Sequence, residues 1–319
     1  MSLARSRIIL GLVVVLVWIM LVTGCDSGQA RPVVAGSVPP HTAERSSVPT
    51  PPTVGERARP CTTARSGRYA VNGRSYLLAV PTNPIPPVLL VLNFHGYQQS
   101  AAAQERYTGF AAYAAANGIA VATPEGQAGG QWNFARSPAL KDDVAFAESL
   151  VRDLRARLCD VASVGATGWS DGADMAATLG CAGVVRAVTG AAASIFPVGS
   201  CPSPPPVLEI HGTADPFVPY GGGGGSRSGA YANTEAQPTE VRLARWATAA
   251  GCPQQPRRTN ATSDAERVTW GTCVSLYRVE GGGHTWPGHT GQDPVPGLGA
   301  ATTSINANQV FVDFFRRHL

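Results

Sequence analysis

Gly168-Trp169-Ser170-Asp171-Gly172 is a serine set between two glycines, and what flanks it decides the fold. Ser163-Val164-Gly165-Ala166-Thr167 before it reads as a strand, and Ala173-Asp174-Met175-Ala176-Ala177-Thr178-Leu179 after it reads as a helix. A strand that turns straight into a helix around one serine needs a tight, strained backbone. It brings the two elements so close that only glycine fits at the flanks. The reading is a nucleophile elbow, with the Ser170 hydroxyl lifted off a strand end. In a chain with 36 glycines the pattern is weak alone, so its weight depends on its partners.

Outward from the elbow, strands alternate with helices. Arg68-Tyr69-Ala70-Val71 and Arg74 to Val80, joined by Asn72-Gly73, read as a β-hairpin, because Asn-Gly supplies the positive φ of a primed turn. Val88 to Phe94 is an apolar run of strand length, as expected of a strand buried on both faces. A long alanine-rich helix follows, with Ser100 as cap and Asn117-Gly118 as its end, and then a strand over Ile119 to Pro124. Asp142-Asp143 open an amphipathic helix through Leu158. Beyond the elbow, Val184 to Ala193, Val207 to Ile210 and Val274 to Val279 read as strands. Thr239 caps a helix to Ala250, and a last helix carries Val310, Phe311, Phe314 and Phe315. The five glycines from Gly221 to Gly225 are expected in a mobile loop, with a lid as an open possibility. The pattern predicts a mostly parallel central sheet with helices on both faces.

In such a sheet, catalytic groups gather at the carboxyl ends of the strands. His95-Gly96, Ser170, Asp215 and His284 each stand at the end of an expected strand. The order Ser, Asp, His along the chain is that of an α/β-hydrolase. A serine hydroxyl is a poor nucleophile at neutral pH. His284 would take its proton and later return it to a leaving alcohol, and Asp215 would hold the imidazole tautomer. The oxyanion needs backbone donors, expected at Asp171 and at Tyr97 in the loop after His95-Gly96. Asp264 and Asp293 rival Asp215, His289 and His211 rival His284, and His95 is expected to shape the oxyanion loop rather than to react. Trp132, Phe134, Trp169 and Trp286 fall in or beside these loops and are expected either to form an aromatic acyl pocket or to be core aromatics. No metal is expected, because His284 and His289 lack further ligands at suitable spacing.

Leu92-Asn93-Phe94-His95-Gly96-Tyr97-Gln98-Gln99-Ser100, Gly168 to Gly172, His211-Gly212-Thr213-Ala214-Asp215 and Gly281-Gly282-Gly283-His284-Thr285-Trp286-Pro287-Gly288 together resemble the polyhydroxybutyrate depolymerase-like esterases. These are related to the feruloyl and acetylxylan esterases of carbohydrate esterase family one. The resemblance runs from about Cys61 to the C-terminus, and Gly281 to Gly288 is its most specific part. It implies an α/β-hydrolase fold, the triad Ser170, Asp215 and His284, oxyanion donors at Tyr97 and Asp171, and no cofactor. The implied substrates are short hydroxyacyl, acetyl or feruloyl esters, small or polymeric. A serine peptidase on the same fold, or a surface-binding lipoprotein without turnover, are the alternatives.

Composition narrows the partners. Net charge is +4 and Lys141 is the only lysine, with no basic run interleaved with aromatics, which disfavours nucleic acid. Arg5 and Arg7, the apolar run Ile8 to Val22, and Val22-Thr23-Gly24-Cys25 read as an export signal over residues 1–24. The last four residues resemble a bacterial lipobox, which implies lipidation of Cys25 and a membrane contact through that anchor alone. Residues 25–60, rich in Pro, Ser and Thr, read as a tether, and 61–319 as one catalytic domain. Cys61, Cys159, Cys181, Cys201, Cys252 and Cys273 suggest disulfides of an exported protein. Cys252 with Cys273 and Cys181 with Cys201 are the expected pairs, since each closes a loop of moderate length.

Overall fold

Val88–Phe94 (β3) is apolar along its length because both of its faces are covered. Leu90, Leu92 and Phe94 enter one core and Val91 the other. The computed structural model describes residues 64–158, 160–193, 201–225, 235–289, 291–292 and 295–319. The expected leader, Cys25, the tether, Cys61, Cys159 and Asp293 lie outside them.

Around β3 lie β1 (Gly67–Val71), β2 (Arg74–Ala79), β4 (Ile119–Pro124), β5 (Val161–Gly168), β6 (Ala187–Ala191) and β7 (Val207–Gly212), with β8 (Arg257–Asn260), β9 (Ala265–Trp270) and β10 (Val274–Val279). They form one ten-stranded sheet in the order β1-β2-β4-β3-β5-β6-β7-β10-β9-β8. The run from β4 to β10 is parallel, and antiparallel pairs extend it at both edges. Helices α1 (Ala101–Thr108), α2 (Phe110–Ala116) and α6 (Ala307–His318) bury Tyr107, Phe110, Phe311 and Phe315 in one core. Helices α3 (Asp143–Arg157), α4 (Asp171–Cys181) and α5 (Thr239–Ala249) bury Leu150, Met175, Leu179 and Trp246 in the other. The expected α/β layering is therefore present.

Several local expectations need correction. The helix from Ser100 to Asn117 is two helices, because Gly109 takes a left-handed φ of 63° and ends the first. Thr239 opens α5 rather than capping it, since Pro238 holds the cap position without a side-chain hydrogen bond. The strand around Val188 is confined to β6. Strands β8 and β9 are additional to the expected ones: Arg257–Asn260 is exposed and polar throughout, so it shows no alternation to read. The glycine run makes specific contacts at two of its residues. Gly223 exchanges both backbone hydrogen bonds with Ala236 (2.9 Å each), and a Cβ on Gly225 would lie 1.9 Å from the Phe217 carbonyl oxygen. The hairpin turn has φ of 49° at Asn72 and 76° at Gly73. Disulfides join Cys181 to Cys201 and Cys252 to Cys273.

Candidate active site

The elbow is built by close backbone approach. A Cβ on Gly168 would lie 2.3 Å from the Gly172 carbonyl carbon, and one on Gly172 would lie 2.1 Å from the Phe94 carbonyl oxygen. Helix α4 thus sits backbone to backbone on β3 and β5, and glycine at both flanks is a steric requirement. Ser170 between them is held at φ 55° and ψ −123°, a costly conformation for a residue with a side chain. Its N–H donates to the Ala191 carbonyl (2.9 Å), which pins the turn to β6.

Two other strand ends cross in the same way. A Cβ on Gly212 would lie 2.1 Å from the Gly282 carbonyl oxygen, and one on Gly283 would lie 2.0 Å from that of Leu298. The loops after β7 and β10 touch there through backbone atoms, with Ala214 N–H donating to the Gly282 carbonyl (2.9 Å). That crossing carries Asp215 and His284 together. His284 Nδ1 lies 2.7 Å from Asp215 Oδ2, and its Nε2 lies 2.8 Å from Ser170 Oγ. A carboxylate can only accept, so Nδ1 carries the hydrogen and Nε2 offers its lone pair to the serine hydroxyl.

Asp215 is buried, and its other oxygen accepts from the N–H groups of Phe217 and Val218 (2.8 Å each). Burial opposes its charge, but His284 and hydrogen bonds from His211 and His284 overcome that and hold it well below the usual carboxylate range. It therefore stays ionised at neutral pH. Such a string can move a proton from a hydroxyl to an imidazole and stabilise the imidazolium that forms.

The loop after β3 packs onto the elbow. A Cβ on Gly96 would lie 2.7 Å from the Trp169 ring, so the backbone at Tyr97 runs beside Ser170's own turn. Asp171 opens α4 directly after Ser170, and its carboxylate accepts from the Trp132 N–H (3.1 Å). His95 shapes this region: its Nε2 accepts from the Gly126 N–H and its Nδ1 donates to the Gly96 carbonyl (2.9 Å each). Burial lowers its pKa, which keeps it neutral.

The aromatic residues sort differently from the pocket expectation. Trp286 is fully buried against Phe110 and Phe311, with its Nε1 donating to Asn308 and its backbone N–H to the Tyr107 hydroxyl (2.9 Å each). It anchors the His284 loop to α1 and α6 and is core. Trp132 and Phe134 are buried likewise, Trp132 donating to the His95 carbonyl (2.9 Å). Trp169 is buried but touches the site, its ring 5.3 Å from that of His284 and its Nε1 donating to the His284 carbonyl (3.2 Å). All four are buried, which accords with the core alternative. Sequence reading passed over Phe217, which is half-buried with its ring 5.3 Å from His284. Its position two residues after Asp215 was the available signal.

The rivals have other partners. Asp264 is taken up by the hydroxyls of Thr262, Thr302 and Ser304, and His289 bonds the Gly291 carbonyl through Nδ1 (2.9 Å). His211 does not replace His284. It lies behind Asp215, its Nε2 3.4 Å from Oδ2.

A serine on a strand-to-helix elbow, a histidine on it, a buried carboxylate behind, and a mostly parallel sheet beneath define the α/β-hydrolase class. No family model matches the chain. It is 32% identical to NocK of Nocardia uniformis subsp. tsuyamanensis, an esterase by name, over 92% of this chain and 95% of that protein. It is 31% identical to feruloyl esterase C of Emericella nidulans, over 56% of this chain and 68% of that protein. The acetyl xylan esterase of Aspergillus awamori shares the fold: TM-score 0.56 at 15% identity, over 79% of this chain and 99% of that one. The chain belongs to this esterase family and is a carboxylic ester hydrolase.

Proposed function

We propose that the chain is an exported serine esterase in which Ser170, His284 and Asp215 form the catalytic triad. The observation that carries this reading is the pair of contacts at His284, 2.7 Å to Asp215 and 2.8 Å to Ser170. Ser170 Oγ attacks the acyl carbonyl as His284 Nε2 takes its proton. The oxyanion is received by the backbone N–H groups of Tyr97 and Asp171, the second of which starts a helix and has that helix's positive end behind it. His284 then passes the proton to the departing alcohol, leaving an acyl-serine. Water, deprotonated by the same nitrogen, cleaves the acyl-serine and restores the hydroxyl, so ester and water become acid and alcohol. No cofactor is required.

The substrate reading is an ester of a feruloyl, acetyl or short hydroxyacyl group. The names of the relatives favour the feruloyl class, and a half-buried Phe217 beside His284 suits a planar acyl group. Polyhydroxybutyrate-type esters remain in this proposal through the motif resemblance. Export through residues 1–24, lipidation at Cys25 and a tether over 25–60 complete it, and two disulfides suit an oxidising compartment. The test is release of p-nitrophenol from acetyl and butyryl esters, and of ferulate from methyl ferulate, by wild type and Ser170→Ala. Turnover that survives the substitution would overturn the triad.

A further inference from the structure

Behind the triad lies a charged string that the esterase reading does not use. His211 is fully buried at the end of β7 and has polar neighbours on three elements. Its Nε2 lies 2.9 Å from the Val218 carbonyl oxygen and 3.4 Å from Asp215 Oδ2. Its Nδ1 lies 2.8 Å from Glu209 Oε1, with the Thr239 hydroxyl of α5 at 3.5 Å. Glu209 is itself gripped by Arg242 of α5, which reaches both carboxylate oxygens, one of them at 2.5 Å from Nη1, and the Ala193 carbonyl at 3.2 Å. The Tyr220 ring packs edge-on to the imidazole at 5.8 Å.

Donor and acceptor counting settles the charge of this ring. A carbonyl oxygen only accepts, so Nε2 must carry a hydrogen. Glu209 faces a guanidinium through both oxygens, so it is ionised and also only accepts, and Nδ1 must carry a hydrogen too. Both nitrogens protonated is an imidazolium. From α5 inward the charges alternate as Arg242 positive, Glu209 negative, His211 positive, Asp215 negative, and the string ends on His284. Each buried charge has an opposite neighbour, which is the condition for keeping ions out of water.

We propose that His211 is a buried imidazolium and a positioning residue of the esterase, fixing Asp215 from behind. This rests on the triad reading given above. Asp215 Oδ2 then accepts from His284 and faces the His211 charge at 3.4 Å, while Oδ1 accepts from two backbone N–H groups, which fixes the carboxylate's orientation. That orientation keeps Oδ2 aimed at His284 Nδ1.

The experiment has two readouts on the folded protein. In the first, imidazole nitrogen NMR of the wild type at pH 7 should show both His211 nitrogens protonated; the His211 signals are those missing from His211→Gln. Should that variant not fold, His41, His95, His284, His289 and His318 are replaced singly and His211 is assigned by subtraction. A single unprotonated His211 nitrogen at pH 7 overturns the proposal, and this readout needs no activity. In the second, kcat and KM for p-nitrophenyl acetate are measured separately at pH 7. His211→Gln should lose about tenfold or more in kcat with KM nearly unchanged. An unchanged kcat with normal folding overturns it as well. Failure of the triad reading is separate and shows as activity surviving in Ser170→Ala.

Discussion

Asp215 and His284 are 69 residues apart in sequence, yet Nδ1 of one lies 2.7 Å from Oδ2 of the other because Gly212 and Gly282 let two loops cross in backbone contact. The catalytic reading depends on that crossing as much as on the side chains. Replacing Gly212 with alanine puts a Cβ 2.1 Å from a carbonyl oxygen and must push the loops apart. Gly212→Ala is expected to lose about a hundredfold or more in kcat/KM, since a misplacement of about 1 Å costs that much, and to lower the thermal midpoint. Steady-state kinetics and calorimetry on the same preparation check both effects.

Ser170→Ala removes the proposed nucleophile without touching the scaffold, because the elbow is held by Gly168, Gly172 and the Ser170 backbone. The expected result is a fall in kcat of about ten-thousandfold or more with an unchanged melting temperature. Labelling by a fluorophosphonate should disappear with it.

Trp286 and Phe217 should separate stability from specificity. Trp286→Ala empties a buried site and is expected to cost about 3 to 5 kcal/mol of folding free energy, read from denaturant unfolding. Phe217→Ala should cost far less stability and should lower kcat/KM for methyl ferulate more than for an acetyl ester. Equal losses on the two substrates would remove Phe217 from the acyl site.

The two histidine-linked ions should leave opposite marks on stability. His211 is pushed up to about 9: its burial opposes the charge, but Asp215 and Glu209 more than compensate. A raised folded pKa contributes stability that is complete below the unfolded value of about 6.5 and is lost as pH rises through about 9. Thermal stability should therefore decline across that interval, by up to about 3 kcal/mol, and His211→Gln should lack the decline. Asp215 is depressed, so its contribution is present above the ordinary carboxylate range and fades only as pH falls below about 4.

The disulfide between Cys252 and Cys273 ties the end of α5 to the turn before β10, the strand that leads to His284. Replacing both with alanine should cost about 2 to 4 kcal/mol and leave kcat nearly unchanged at low temperature. Chemical denaturation of the double variant, followed with kinetics at the same temperature, is the measurement.

Local sequence was sufficient wherever a rule acts over neighbouring residues. Asn72-Gly73 specified the hairpin, the apolar run at Val88–Phe94 specified a doubly covered strand, and the glycines around Ser170 specified the elbow, because each requirement is met within a few residues. The order of Ser170, Asp215 and His284 named the fold, since strand ends in a parallel sheet share one edge. What tertiary structure alone decided is everything that depends on which side of a wall a side chain falls. Trp286 and Trp132 carry the composition of a pocket, but their indole N–H groups are spent on Asn308 and His95, which places them in the scaffold. His211 looked like a rival of His284; only three-dimensional packing brings Arg242 to Glu209, Glu209 to His211, and His211 to the back of Asp215. Burial and charge pairing are properties of neighbours distant in sequence, and no spacing along the chain encodes them.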